Sequence, residues 1–414
     1  MQRYSLVTLA RNAFSNHEDW SPAWRKAEPQ AAYDIVIVGG GGHGLATAYY
    51  LAREYGEKKV AVLEKGWLGG GNTGRNTTIV RSNYLQDESA ALYDHAVQLW
   101  AGLSRELNYN VMYSPRGLLH LAHNEHDLRE ISRRGHANWL NGIDAEFLSP
   151  AEVKQWVPPI RIDGRYPVLG ALLQRRGGTA RHDAVAWGYA RAADRLGVDI
   201  IENCEVTGIE VEGGRVKGLQ TSRGRIGAGK VGLVAAGHSS VLAEMAGFRL
   251  PLASVPLQAM VSEPIKPVLD VVVMSGSVHV YVSQSDKGEL VIGGGTDSHA
   301  SYSQRGSFDM IEEMAGPLLE MFPAFSRLRM LRQWGGIVDV TADRSPIIGH
   351  SPVAGLYLNC GWGTGGFKAT PGSGHVFAAT IARDEPHPMA APFGLDRFRS
   401  GALVDEAAAA AVAH

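Results

Sequence analysis

Lys368 closes the run Gly361-Trp-Gly-Thr-Gly-Gly-Phe-Lys368, and Arg81 closes Arg75-Asn-Thr-Thr-Ile-Val-Arg81. A lysine among glycines and aromatics is not in the setting of a solvated surface lysine. An arginine presents a planar fork that pairs both oxygens of a carboxylate, whereas a lysine acts as a point cation. Together the two suit the oxidation of an amine that sits beside a carboxylate. That reaction requires the carboxylate to be held so that the reacting C–H faces an electron acceptor. His279 and Tyr281 alternate with Val280 and are further candidates to face such a substrate, core packing being the alternative.

The acceptor is indicated at the other end of the chain. Gly39, Gly41 and Gly44 satisfy G-x-G-x-x-G directly after the β-branched run Ile35–Val38, with Gly42 and His43 inside the turn. One glycine makes the turn, the next admits a pyrophosphate to the backbone, and the third lets helix and strand pack closely. The phosphates then meet N–H groups at a helix N-terminus, where the dipole favours negative charge. A second run, Lys59–Glu64, ends in a carboxylate 20 residues after Gly44, where a ribose hydroxyl is held in dinucleotide sites. From Lys65 the chain enters a glycine-rich loop carrying Asn72, Thr73, Arg75, Asn76 and Thr77. A nicotinamide cofactor has no general need of such a loop. A flavin does, because its ribityl chain and diphosphate require a second set of backbone donors. Gly363, Gly365, Gly366 and Phe367, just before Lys368, can reach the pyrimidine end of that flavin.

Composition excludes several classes. The 40 basic residues are scattered among 42 acidic ones for a net charge of −2, which argues against nucleic acid as a partner. Two cysteines, Cys204 and Cys360, make neither a disulfide framework nor a zinc motif. No apolar run reaches the roughly 18 residues of a membrane span, and the N-terminus lacks the apolar core of a signal peptide. The expectation is a soluble cytoplasmic protein with no membrane contact. His120, His123 and His126 recur every third residue, a spacing that scatters them over both faces of a strand, so no metal is assigned.

The elements that must position these residues predict an α/β fold. It is a discontinuous Rossmann-like FAD-binding domain (33–95, 175–250 and 330–400) interleaved with an α+β substrate domain (96–174 and 251–329) built on an antiparallel sheet. Residues 1–32, with Trp20, Pro22, Trp24 and Pro29, read as an extended arm that covers its own chain or meets another subunit. Leu92, Ala96, Leu99, Trp100, Leu103 and Leu107 mark a helix, and Gly117–His123 reads as a strand. A charged helix follows around Glu125–Gly135, and a capped one begins at Ser149. Asp183 is expected to cap a helix whose apolar face is Val185, Tyr189, Ala193 and Leu196. Gly213-Gly214 turns a hairpin, and Lys230–Gly237 is a buried strand ending in glycine. From about 250 to 330 strands alternate with turns, marked by three runs between 257 and 295, and residues 401–414 form a tail whose Ala407–Ala413 is of low complexity.

These motifs resemble those of a known family. The loop after Glu64 is similar to that of FAD-dependent amine oxidases of the D-amino-acid oxidase and glycine oxidase group. There the residue after the Cys-Glu bend contacts adenine and an Ala-Ala-Gly strand end packs on the diphosphate, which implies Val206, Ala236 and Gly237 here. Monomeric sarcosine oxidases place an arginine after two aliphatic residues, as Arg81 follows Ile79 and Val80. Gly39–Ala52, Val62–Leu68, Arg75–Tyr84 and Cys360–Lys368, with the Ala-Ala-Ala-Val-Ala-His end, together resemble the β subunits of heterotetrameric sarcosine oxidases over nearly the whole chain. The resemblance implies oxidation of sarcosine to glycine, with O2 as final acceptor and tetrahydrofolate, on the α subunit, taking the one-carbon unit. It implies α, γ and δ partner subunits, non-covalent FAD, and FMN attached covalently to a histidine. His182, in Ala180-Arg-His-Asp-Ala-Val-Ala-Trp187, lies in the matching motif. Monomeric relatives carry FAD on a cysteine after the strand that corresponds to Gln333–Val338, and no cysteine stands there. Sarcosine, dimethylglycine and proline all present an amine beside a carboxylate, so the residues leave the amine open. Two other readings also stay open: a single-flavin dehydrogenase for a D-amino or 2-hydroxy acid, and a flavin-holding assembly subunit without catalysis.

Overall fold

The computed structural model describes residues 5–18 and 20–406. Ala32–Val38, apolar at four consecutive inner positions, can only be buried on both faces, and it pairs in parallel with Val60–Leu63 on one side and Gly224–Leu233 on the other. The sheet continues through Leu356–Cys360 and Ile347–His350 on one flank and Asp199–Ile201 on the other. The hairpin Val206–Glu212/Arg215–Thr221 pairs with the first residues of the interior strand Gly224–Leu233. Gly213 and Gly214 turn that hairpin at φ of 56° and 75°, a left-handed pair that only glycine adopts without strain. The helices Gly42–Glu54, His182–Arg195 and Gly366–Arg383 cover one face, with Asp87–Glu106 packed behind them. Gly374 lets the Gly42 and Gly366 helices approach, since a Cβ there would stand 2.4 Å from that of Ala46.

A second eight-stranded sheet runs in the order Met330–Thr341, Leu252–Pro264, Glu289–Thr296, Val280–Gln284, Val272–Ser275, Leu118–Ala122, Gly170–Gln174 and Glu146–Leu148. All its pairings are antiparallel except Val272–Ser275 with Leu118–Ala122, where chain segments far apart in sequence meet. Ser149 and Glu152 form a full capping box on the helix Pro150–Trp156.

The structure differs from expectation at several points. Met330–Thr341, placed by sequence with the nucleotide domain, pairs along its length with Leu252–Pro264 in the second sheet. Its Gln-Trp-Gly-Gly stretch is edge-like and gives no sign of which sheet it joins. The helix Asp87–Glu106 runs unbroken across the boundary expected at 95/96. The arm is not wholly extended: Leu6–Phe14 is a helix behind Ser5, because nothing in Leu-Val-Thr-Leu-Ala-Arg-Asn-Ala-Phe breaks one, and none of its residues is buried. Trp24 packs on its own chain and donates from Nε1 to Glu202 at 3.4 Å. Arg181, not Asp183, stands at the N-cap position of the helix His182–Arg195, and its side chain makes no capping bond. Asp183 sits inside the first turn, where its carboxylate takes the Arg181 guanidinium at 2.9 and 3.1 Å, and Leu196 lies exposed past the helix end. Phe308–Met321 is a helix within the stretch read as strands and turns. The low-complexity tail Ala407–Ala413 lies outside the described residues.

A buried ion pair ties the C-terminal segment down. Arg397 donates to both oxygens of Asp343 at 2.7 and 3.0 Å, with side chains 3 % and 0 % exposed. Burial pushes the Asp343 carboxyl up, but the Arg397 bonds and charge outweigh it and hold it below the ordinary value of 3.8. A folded pKa below the unfolded one adds stability that is present above the ordinary carboxylate range and lost as pH falls through the folded value. The expected result is a thermal midpoint that drops with acidification below about pH 4, a drop that is smaller in R397Q, which starts less stable at neutral pH. Melting curves against pH check both.

Candidate functional site

The glycine turn after Val38 is enforced by contacts rather than by preference. A Cβ on Gly39, whose φ is +119°, would stand 2.2 Å from the Val234 carbonyl, and one on Gly44 would stand 2.0 Å from the Gly39 carbonyl. Gly44 is therefore a packing residue of the turn and does not line the cavity beside it. That cavity, roughly 590 Å³, lies between the two sheets. Its volume is that of a cofactor or drug-sized ligand site. Its walls include Gly39, Gly41, Gly42, Glu64, Lys65, Val206, Ala236 and Gly237 as well as Tyr281, Arg81, Phe367 and Lys368, so one space joins the nucleotide turn to the two cations.

The loop after Glu64 holds its own shape. Glu64 accepts from Gly40 N at 2.8 Å and Gly66 N at 2.9 Å, and Thr73 Oγ1 accepts from Gly42 N at 2.9 Å. Asn72 donates to the Ile337 carbonyl, Arg75 to those of Gly70 and Gly71, and Asn76 to that of Thr73. Thr77 bonds the Tyr281 hydroxyl at 2.8 Å. All of these except Gly40 line the cavity. Their side chains spend part of their hydrogen bonding on preorganising the loop, which lowers what a ligand must order on entry.

At the far end Arg81 is brought in by the short strand Ile79–Val80, paired with Gly178–Thr179. Its Nη1 donates to Asn83 Oδ1 at 2.8 Å, and the guanidinium lies 4.3 Å from the Tyr84 ring, which stacks on Tyr93 at 3.8 Å. Lys368 stands in the first turn of the Gly366 helix, its Nζ donating to Thr364 O at 2.9 Å. Arg81 is 6 % and Lys368 8 % exposed. Burial, then the repulsion of Arg81, pushes the Lys368 ammonium well below the ordinary lysine range. Neither cation has an acidic partner within ion-pair distance among the described residues. Two buried cations that face the cavity with no acid in ion-pair reach make a site for an external anion.

Tyr281 faces the cavity because Gly293 stands opposite it in the register; a Cβ there would lie 2.1 Å from the hydroxyl. Burial raises its phenol to about 12, so it stays protonated. His279 does not join it. The strand begins at Val280, and His279 lies exposed in the preceding turn with a φ of 50°. His43 lines the cavity, but both ring nitrogens are bound by protein: Nε2 donates to Gly366 O at 2.7 Å and Nδ1 accepts from Ser373 at 2.8 Å. Burial lowers it to about 4, and the neutral ring braces the Gly363–Lys368 loop. Gly363 and Gly366 reach the wall of the cavity. Gly365 packs against Tyr93 instead.

His182 lies outside the cavity, on the back of the same loop. Its Nε2 donates to Gly74 O at 3.2 Å, its Nδ1 is buried without a hydrogen-bond partner, and burial lowers its pKa. Among the described residues no group of three or more His, Cys, Asp or Glu could hold a metal. His123 instead bonds Ser275 at 2.7 Å and Pro167 O at 3.0 Å.

Sequence reasoning passed over Asp339, Asn359 and Trp362, which also line the cavity. Asp339 accepts from Gly361 N, and burial raises its carboxyl to about 6. Trp362 donates to Asn359 Oδ1 at 2.6 Å and its ring meets His43 edge-on at 4.8 Å. Trp362 lies inside the Cys360–Lys368 motif and Asn359 just before it, so an amide near a tryptophan was the available signal. A lone aspartate on a strand gives none.

Residues 34–380 match the FAD dependent oxidoreductase family. Over 415 aligned residues, the whole of both chains, this sequence is 62 % identical to a sarcosine oxidase subunit beta of Rhodobacter capsulatus. It is 59 % identical to one of Arthrobacter sp, over 94 % of this chain and 97 % of that one. The chain belongs to the sarcosine oxidase subunit beta family of FAD-dependent oxidoreductases. The L-proline dehydrogenase of P. horikoshii superposes with a TM-score of 0.85 at 26 % identity, covering 91 % of this chain and 100 % of that one. FAD fits the site: the joined cavity, the glycine turn a Cβ would block and the self-held loop suit a dinucleotide with its ring system at the Lys368 end. Among the described residues no helix is long and apolar enough to cross a membrane.

Proposed function

We propose that this chain is the catalytic flavoprotein subunit of a cytoplasmic sarcosine oxidase, assembled with α, γ and δ subunits as a heterotetramer. In the overall change sarcosine, tetrahydrofolate and O2 give glycine, 5,10-methylenetetrahydrofolate and H2O2, the folate sitting on the α subunit. The buried Arg81–Lys368 pair in a cavity continuous with the dinucleotide turn carries the reading. The full-length identity to proteins named sarcosine oxidase subunit beta supports the choice of amine.

When bound, non-covalent FAD supplies the two-electron acceptor for the N-methyl C–H, and FMN carried covalently on His182 supplies the onward route of those electrons to O2. The chain's own residues bind and orient. Arg81 takes the substrate carboxylate as a fork and Lys368 completes it, the incoming anion favouring the charged ammonium that burial disfavours. The same cations favour the unprotonated substrate amine, so the pocket requires no strong general base. Tyr281, locked by Thr77, and the apolar walls of Trp362 and Phe367 limit water around the reacting carbon.

His182 fits a covalent flavin. Its ring is kept neutral by burial, and the Nε2 bond to Gly74 leaves the lone pair on Nδ1 as the nucleophile. Mass and visible spectroscopy of a tryptic digest of the co-expressed complex test this. Expected are an FMN mass on the His182 peptide and FAD released by acid. An unmodified His182 with FAD alone would replace this reading by a single-flavin dehydrogenase for a D-amino or 2-hydroxy acid.

A further inference from the structure

Behind Arg81, away from the cavity, lies a second buried charged cluster. Arg134 is 2 % exposed, and its Nη1 donates to the Asn83 carbonyl at 3.2 Å, the residue whose side chain holds Arg81 at 2.8 Å. Two guanidinium groups thus share one asparagine in the interior. Burial, followed by the repulsion of Arg81, lowers Arg134 to about 10. A buried carboxylate from the far end of the chain adds a negative charge that acts on both, beside that of Glu130 on Arg134. Glu406 is 3 % exposed, its Oε1 accepts from Gln86 N at 3.0 Å, and its Oε2 is buried without a hydrogen-bond partner. Burial raises its carboxyl, and the bonds from Gln86 and Ser89 and the charges of Arg134 and Arg81 oppose that rise.

The delivery of Glu406 is built into the fold. Asp343, fixed by Arg397, accepts from Val404 N at 3.3 Å through its carboxylate and from Glu406 N at 3.0 Å through its carbonyl. Ser345 donates to Val404 O at 2.6 Å, and Gln86 Nε2 donates to Asp405 O at 3.1 Å. A carboxylate is not carried into a protein interior on a strapped chain segment for packing, since burying it is costly unless it balances charge.

We infer that Glu406 sets the affinity of the carboxylate clamp: it balances Arg81 and Arg134 from behind and so competes by charge with the substrate's carboxylate in front. The inference rests on the reading of Arg81 and Lys368 as that clamp. Glu406 touches no substrate and acts by its charge on Arg134 and Arg81, which share Asn83. Its charge keeps the empty site stable, and the same charge weakens the anion's hold, so product glycine, which bears the same carboxylate, is held less tightly.

The test uses the FAD-loaded complex and acetate as the probe anion, with binding read by calorimetry and by perturbation of the flavin's visible band. E406Q keeps the shape and the acceptor for Gln86 N–H while removing the charge. Acetate is expected to bind E406Q about threefold to tenfold tighter than wild type, the scale of one unit charge acting at an effective dielectric near 20. The KM for sarcosine is expected to fall in parallel, and E406D, which keeps the charge, to remain near wild type. E406Q without anion is expected to melt lower than wild type, and acetate to raise its midpoint by more. That comparison needs only a folded population in the cold, so a weakened variant still answers. Unchanged or weaker acetate binding by E406Q, or an equal rise in midpoint, would overturn the inference. If K368M binds acetate as wild type does, the clamp itself is wrong; if K368M loses acetate while E406Q is unchanged, only the role of Glu406 fails.

Discussion

K368M in the assembled, FAD-loaded complex is expected to lower kcat/KM for sarcosine by about 10²- to 10³-fold. The figure follows from removing one charged partner from a buried, desolvated ion contact, a change of about 2–5 kcal/mol. Methionine nearly matches the length of lysine and removes a buried charge that the empty site keeps only at a cost. Folding and FAD content are therefore expected to hold, and the melting temperature to stay level or rise. The Lys368 carbonyl keeps its bond from Trp100 Nε1 at 2.8 Å, so the backbone has no reason to move. Steady-state kinetics with a flavin count check this. A loss under about threefold would mean that Lys368 holds no substrate, and unchanged activity would favour the flavin-holding assembly subunit.

The second large effect is structural. Gly44→Ala places a methyl group 2.0 Å from the Gly39 carbonyl oxygen, and neither partner is a side chain that can turn away. The first strand, the turn and the helix must then separate, which shifts the helix N-terminus off the cavity. We expect protein without FAD, or no soluble protein, a loss at the exceptional end of single substitutions, above about 4 kcal/mol. Gly102→Ala is the contrast. Gly102 lies within the Asp87–Glu106 helix, where a Cβ meets nothing within 4 Å. That change is expected to retain FAD fully and to stabilise by about 0.5–1 kcal/mol through helix propensity. Flavin content after purification separates the two at once. Full FAD retention by G44A would contradict the geometry of the turn.

What could be read in the residues was what a short stretch determines by itself. The Rossmann strand, its glycine turn and Glu64 are local, and each glycine has one steric duty. The strand pattern of Val280–Gln284 and Glu289–Thr296 is likewise local, as is the capping box at Ser149. Alternation along His279-Val-Tyr281 was misleading because it gives the faces of a strand but not where the strand starts. With the ladder beginning at Val280, His279 belongs to the turn and Tyr281 alone faces the cavity. Asp183 has the right type for an N-cap, yet the helix begins at His182, so its carboxylate lies inside the first turn and takes Arg181 and Ala184 N there. The assignment of Met330–Thr341 to the second sheet depends on a partner strand more than 60 residues away, as does the pairing of Val272–Ser275 with Leu118–Ala122. The buried Asn83, Arg134 and Glu406 escaped for the same reason: a polar or charged residue reads as solvated until tertiary structure encloses it.

The central claim is that the cavity binds an amine by its neighbouring carboxylate and delivers its C–H to bound FAD. Anaerobic rapid mixing of the FAD-loaded complex with sarcosine, and separately with dimethylamine, tests it most directly. Dimethylamine has the same N-methyl group and no carboxylate. The account predicts that sarcosine bleaches the visible flavin band in a single turnover, while dimethylamine at equal concentration leaves it unchanged. Equal bleaching by both amines, or none with sarcosine, would contradict it.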